Sequence, residues 1–193
     1  MDFLSNIDTY IEREIQVLHA LDRSAINAAL NTLIEAFTCG KYVYIFGNGG
    51  SAATASHFVN DFNKGVFERA EMQPRFICLS DNTSTLTAVA NDIGYEETYR
   101  FQLRGRLAPG DVVIAISGSG DSPNVINAVK YAKGVGNTVI GLTGFSGGKL
   151  GALADIRLHA AIGSMQIVED IHMIFDHMMM TVLCEAFPRK TPL

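Results

Sequence analysis

The chain has few cysteines, no concentration of basic charge and no long apolar run, and each shortage narrows what it can be. Cys39, Cys78 and Cys184 are odd in number, widely separated and without C-x-x-C spacing, so they read as buried free thiols in a reducing cytoplasm. Lysine and arginine total 15 against 20 acids, for a formal charge of −5, and they form no stripe, which argues against nucleic acid held through its phosphates. No apolar run approaches the roughly 18 residues that span a bilayer. Asp2 and Asp8 stand where a leader peptide would carry basic and then apolar residues. Any anionic ligand must therefore be met by local dipoles and a few placed groups.

What is present is one α/β core's worth of sequence, 193 residues at 48% hydrophobic, read as a single domain over residues 1–193. Phe3, Leu4, Ile7, Ile11, Ile15, Leu18 and Leu21 recur at helical spacing. A second helix is predicted from Ser24, as cap, to Thr38, stopped by Gly40. These leading helices, residues 1–40, are expected to pack on another subunit, with packing back on their own domain as the alternative. Strands are predicted at Tyr42–Phe46, Arg75–Ser80, Asp111–Ile116, Asn137–Thr143 and Asp155–Ala160, with helical stretches between. That alternation predicts a doubly wound parallel sheet of about five strands with helices on both faces. Ligands of such sheets bind at the carboxyl ends of the strands, where strand order reverses.

The first strand runs into Gly47, Asn48, Gly49, Gly50 and Ser51. This glycine-rich turn is neither G-x-G-x-x-G nor G-x-x-x-x-G-K-[ST], so it indicates no dinucleotide or nucleoside-triphosphate site. Ser51 is expected to cap the following helix, whose free amides favour an anion. His57 and Asp61, four apart, share one face of that helix and suit proton transfer or a metal. The third strand leads to Ser117-Gly118-Ser119-Gly120-Asp121-Ser122-Pro123-Asn124. Here hydroxyls, glycines and a helix start with Ser122 as cap and Pro123 at its first position make the stronger phosphate-site signal. Asn91-Asp92 before Gly94 reads by itself as a turn. The last helix, Met165–Phe187, carries Glu169, Asp170, His172, Asp176 and His177 among methionines and aliphatics.

The run GNGGSAATASHF, Asn91-Asp92 followed by Gly94, SGSGDSPNV, LTGFSGG from Leu142, and Glu169 to His177 together resemble the sugar-isomerase (SIS) domain family. Within it they are most similar to the sedoheptulose-7-phosphate (phosphoheptose) isomerases, over essentially the whole chain. The resemblance implies a flavodoxin-like sheet and a homotetramer with sites between subunits. It implies one zinc ion per subunit and an aldose–ketose isomerisation serving heptose synthesis for bacterial surface polysaccharide. Carried over by motif, Asn48, Gly49, Gly50, Ser51, Asn91, Asp92 and Gly118 would contact the phosphorylated sugar, and Ser117, Ser119 and Ser122 would hold its phosphate. His57, Asp61, Glu169 and His177 match the metal and catalytic positions. In those roles Asp61 is the base, with Glu169 as its rival and a substrate contact, and His177 is the acid.

The chain departs from the family pattern at several of these positions. Asp61 replaces a glutamate, Glu169 a glutamine and Gly118 a threonine. Gln166 stands where an acid is usual, and only Lys64 lies near the place of a substrate arginine. Glu169 and His177 are eight residues apart, about 12 Å along a continuous helix, which strains a shared ion. Two further readings are a non-catalytic SIS-domain adaptor that binds the replication initiator, and a sensor or isomerase for another phosphosugar. The pairing of His57 with Asp61, and of His177 with an acid at position 169, opposes the adaptor, which needs none of them.

Overall fold

The computed structural model describes residues 1–190. Helices α1 (Leu4–Ala20) and α2 (Arg23–Thr38) precede β1 (Val43–Gly47), and α3 (Gly50–Asn60) follows it. A π-helical stretch, Asp61–Val66, continues into the short α4 (Phe67–Arg69). Then come β2 (Phe76–Cys78), α5 (Thr83–Asp92), α6 (Thr98–Leu103), β3 (Val112–Ser117) and α7 (Pro123–Gly134). β4 (Thr138–Gly144), α8 (Gly148–Leu153), β5 (Ile156–Ala160) and α9 (Met165–Ala186) complete the chain. All strand pairs are parallel, in the order β2-β1-β3-β4-β5. That is the flavodoxin-like order expected from the resemblance, and it places the switch point between β1 and β3.

Alternate strand residues feed two cores, because side chains along a strand point to opposite faces. Val43, Ile45, Val112, Ile114 and Ile116 pack with α2, α3 and α9. Tyr44, Phe46, Val113 and Ala115 pack with α6 and α7. The leading helices divide between these environments and solvent. α2 buries Ile26, Ala29, Leu30, Leu33 and Phe37 against its own sheet, the alternative to packing on another subunit, and Cys39 at its end is exposed where a buried thiol was expected. Asp22 rather than Ser24 caps it, accepting from the amides of Ser24 and Ala25 at 2.9 and 3.1 Å. α1 differs from α2. It buries Val17 alone and leaves Phe3, Leu4, Ile7, Ile11 and Ile15 about half exposed.

The π-helical stretch fixes where Asp61 sits. Phe62 inserts between Phe58 and Phe76, with ring centroids 5.9 and 4.5 Å away. The Asn63 amide exchanges two hydrogen bonds with the backbone of Phe76, at 2.8 and 2.9 Å, tying the turn to β2. Such insertions inside α-helices frequently accompany functional sites, and this one begins at Asp61.

Candidate functional site

A cleft of about 300 Å³ opens at the switch point, lined by the loops after β1 and β3 and by the start of α9. Two helices begin here without a side-chain cap. Gly49, at φ +54°, is the N-cap of α3 and adopts a backbone that L side chains avoid. Ser51 is therefore a buried residue of the first helical turn and not the expected cap. Ser122 does occupy the N-cap of α7 and Pro123 its first position, but the Ser122 hydroxyl turns to Ser117 Oγ at 3.1 Å. Ser119 Oγ lies 3.5 Å from Ser117 Oγ, so three hydroxyls converge beside uncapped helix amides. The LTGFSGG stretch supports this loop from behind. Gly144 donates to the Gly118 carbonyl and Leu150 to that of Gly120, both at 2.9 Å. Gly120, at φ +74°, lies so close that a β-carbon would meet the Gly147 carbonyl at 2.0 Å.

Asn48 couples the two loops. Its side-chain amide and that of Asn124 donate to each other at 2.9 Å. Its carbonyl oxygen also accepts from the hydroxyls of Tyr95 and Tyr99, each at 3.0 Å. Asn48 thus lines the cleft as a brace, and Tyr95, Tyr99 and Asn124 are site residues that sequence reasoning did not assign. Only Asn124 carried a signal, as the last polar residue of the serine loop. No lysine or arginine lines the cleft among the described residues, so a phosphate there meets hydroxyls and helix dipoles.

Glu169 belongs to this cleft. It packs so tightly on Gly50 that a β-carbon there would fall 2.3 Å from its Oε1, which sets a carboxylate against the positive end of α3. Gly118 is close-packed too, and the thioether of Met165 occupies the space that a larger residue would need.

Two turns further along α3 and α9 lies a second cluster. His57, Asp61, Asp176 and His177 each place a ligand-type atom within 4.8 Å of the others. His57 Nε2 is 3.2 Å from His177 Nε2, 3.5 Å from Asp61 Oδ2 and 3.9 Å from Asp176 Oδ2. A tetrahedral zinc with bonds of about 2.0–2.1 Å holds its ligand atoms roughly 3.3 Å apart, so the imidazole pair has the spacing of two ligands on one ion. The Asp176 side chain is 0% exposed, and neither oxygen has a hydrogen-bond partner among the described residues. Burial, and then the charge of Asp61, push its carboxyl up to about 8. A buried acid without a partner, facing two imidazoles, is a donor set that fits a divalent cation.

The metal positions implied by the resemblance are thus brought together in part. His57, Asp61 and His177 meet, but Glu169 does not join them within the chain. α9 is continuous from Met165 to Ala186, and α3 runs alongside it in parallel, with Gly50 against Glu169 and His57 against His177. Seven residues of helix, about 10 Å, separate Glu169 from Asp176. Asn91 and Asp92 stand exposed at the end of α5 and do not line the cleft.

A doubly wound sheet, an anion cradle at its switch point and a histidine–carboxylate cluster beside it define an α/β protein with a site suited to an anionic ligand and to proton transfer or a metal. A family model described as the SIS domain matches residues 8–144. The chain is 36% identical to a probable phosphoheptose isomerase of Thermoplasma acidophilum, covering 92% of this chain and 97% of that one. It is also 36% identical to a phosphoheptose isomerase of Aliarcobacter butzleri, covering 91% and 90%. Its structure superposes on phosphoheptose isomerase from Neisseria gonorrhoeae with a TM-score of 0.85 at 28% identity, covering 94% and 98%. The chain belongs to the SIS-domain family and, within it, to the phosphoheptose isomerase group.

Proposed function

We propose that the protein is a sedoheptulose-7-phosphate isomerase, converting the ketose to D-glycero-D-manno-heptose 7-phosphate through an enediol. The observation that carries this reading is the alignment, along α3 and α9, of the serine cradle at one end and the His57 cluster at the other. The substrate has the matching polarity. Its phosphate is on C7, and C1 and C2, where the reaction occurs, lie at the opposite end of the sugar. With the phosphate on Ser117, Ser119, Ser122 and the first turn of α7, the chain of hydroxyls passes Glu169, and C1 and C2 approach Asp61 and His177.

Isomerisation moves a proton from the carbon beside the carbonyl to its neighbour. Asp61, with its side chain 14% exposed, is the proposed base that takes and returns this proton. An aspartate is one methylene shorter than glutamate, so the sugar must come close to the start of the π-helical stretch. His177, more than half exposed at the rim, is the proposed acid for ring opening and for the substrate oxygens. A zinc-class ion held by the cluster would supply Lewis acidity toward those oxygens. The exposed face of α1, and Asn91 and Asp92 outside the chain's own cleft, are consistent with the proposed homotetramer whose subunits share sites, and the proposed location is the cytoplasm.

Asp61→Asn tests the assignment, because it keeps size and removes proton acceptance. The expected result is a fall in turnover of roughly two to four orders of magnitude with bound metal unchanged. Loss of metal, with recovery of rate in excess zinc, would make Asp61 a ligand first. Full metal with near-normal turnover would transfer the base role to Glu169.

A further inference from the structure

We propose that Asp176 is itself a ligand of the divalent ion, so that His57, Asp176 and His177 form the anchoring set and Asp61 is left for proton transfer. This rests on reading the cluster as a metal centre. Asp176 and His177 are consecutive on α9 and diverge by about a hundred degrees around it. Asp176 faces inward between α9 and α3 and is fully buried, whereas His177 sits at the rim with its side chain 56% exposed. Both nonetheless converge on His57.

The two carboxylates of the cluster differ in what else they have. Asp61 is partly exposed and accepts from the Asn60 amide at 3.1 Å, so it has water and a neighbour to satisfy it without an ion. Neither Asp176 oxygen has a hydrogen-bond partner among the described residues, and its side chain is 0% exposed, with His57 Nε2 at 3.9 Å the group it faces. A buried carboxylate in that state is strongly disfavoured unless something positive is bound to it. Glu169, the α9 acid that the resemblance placed among the ligands, lies about 10 Å up the helix against Gly50. Two imidazoles and one carboxylate are also the number of protein ligands that leave a coordination position open for substrate.

The test uses chelator-treated protein titrated with Zn²⁺ against a chromophoric chelator, with the visible spectrum of the Co²⁺ form recorded in parallel. Asp176→Asn and the apolar Asp176→Leu are both expected to weaken Zn²⁺ binding by at least about a hundredfold, the upper end of the cost of losing an outer-sphere partner. Both are expected to change the Co²⁺ spectrum. Metal-free Asp176→Leu, relieved of a buried unpaired acid, should melt higher than metal-free wild type, which a merely disrupted fold would not do. Zn²⁺ affinity within about threefold of wild type in the folded variants, alongside loss of binding in His57→Ala, would overturn the role of Asp176 alone. Failure of wild type to bind Zn²⁺ at all would overturn the metal reading together with it.

Discussion

Ser122 shows how one side chain can be released for a ligand. At an N-cap its hydroxyl would ordinarily accept from the amides of α7, yet it pairs with Ser117 and accepts from none of them, while the Val125 amide donates to Asn124 Oδ1 at 3.0 Å. Ser119 is exposed at the mouth of the same cradle. With no cation in the lining, each hydroxyl carries a larger share of the contact with a phosphate. Ser119→Ala and Ser122→Ala should each weaken substrate binding by about 1.5–3 kcal/mol, a hydrogen bond to a charged group, and so raise KM about ten- to a hundredfold with kcat little changed. Unchanged KM for the phosphorylated sugar in both variants would place the phosphate elsewhere.

Helix α9 carries half of the cluster, part of the cleft and, between them, a buried histidine. His172 is 1% exposed, with Nε2 at 3.2 Å from the Thr143 carbonyl, and it faces His159. Burial, outweighing that carbonyl, pushes its pKa down from 6.5 to about 4. The unfolded chain then binds a proton that the folded one refuses between those values, so stability rises with pH through that window and is lost on acidification. The loss should be on the order of 2 to 3 kcal/mol and should vanish in His172→Gln, as read from the difference between the two urea-unfolding profiles from pH 7 to pH 4. Parallel profiles would mean that His172 does not resist protonation. At this scale most of the fold was legible. The five strands, the capping position of Ser122 and the long last helix follow from apolar runs, breakers and helical periodicity. What was not legible depends on which helix faces pack. The cap of α2 moved to Asp22, and Ser51 moved inside α3, because competing short polar residues and Gly49 stand within a residue or two of each start. Asp176 and Glu169 exchanged places relative to the cluster because α9 stays continuous and runs parallel to α3. Helical spacing gives the distance between two residues on one helix but not which neighbouring helix each of them meets. Tyr95 and Tyr99, which hold Asn48, are distant in sequence and carry no motif.

For the molecule as a whole, the outstanding surface is α1. Phe3, Leu4, Ile7, Ile11 and Ile15 are 46–65% exposed on a helix that touches its own domain mainly near Val17 and through the hydroxyl of Tyr10 on Asp170. A continuous apolar face of this kind calls for a protein partner, and a second copy of the chain is the proposed one. Sedimentation of wild type at micromolar concentration should give a tetramer, and Ile7→Glu with Ile11→Glu should shift it to smaller species. A stable wild-type monomer would contradict this assembly. The central claim, that the switch-point cleft and the His57 cluster together isomerise a seven-carbon ketose phosphate, is tested most directly by metal-loaded wild type in deuterated water with sedoheptulose 7-phosphate, followed by NMR. The expected result is conversion to the aldose heptose 7-phosphate, with solvent deuterium entering at the carbon that accepts the returned proton, while Asp61→Asn is nearly silent. Absence of any aldose from folded, metal-loaded wild type would contradict it.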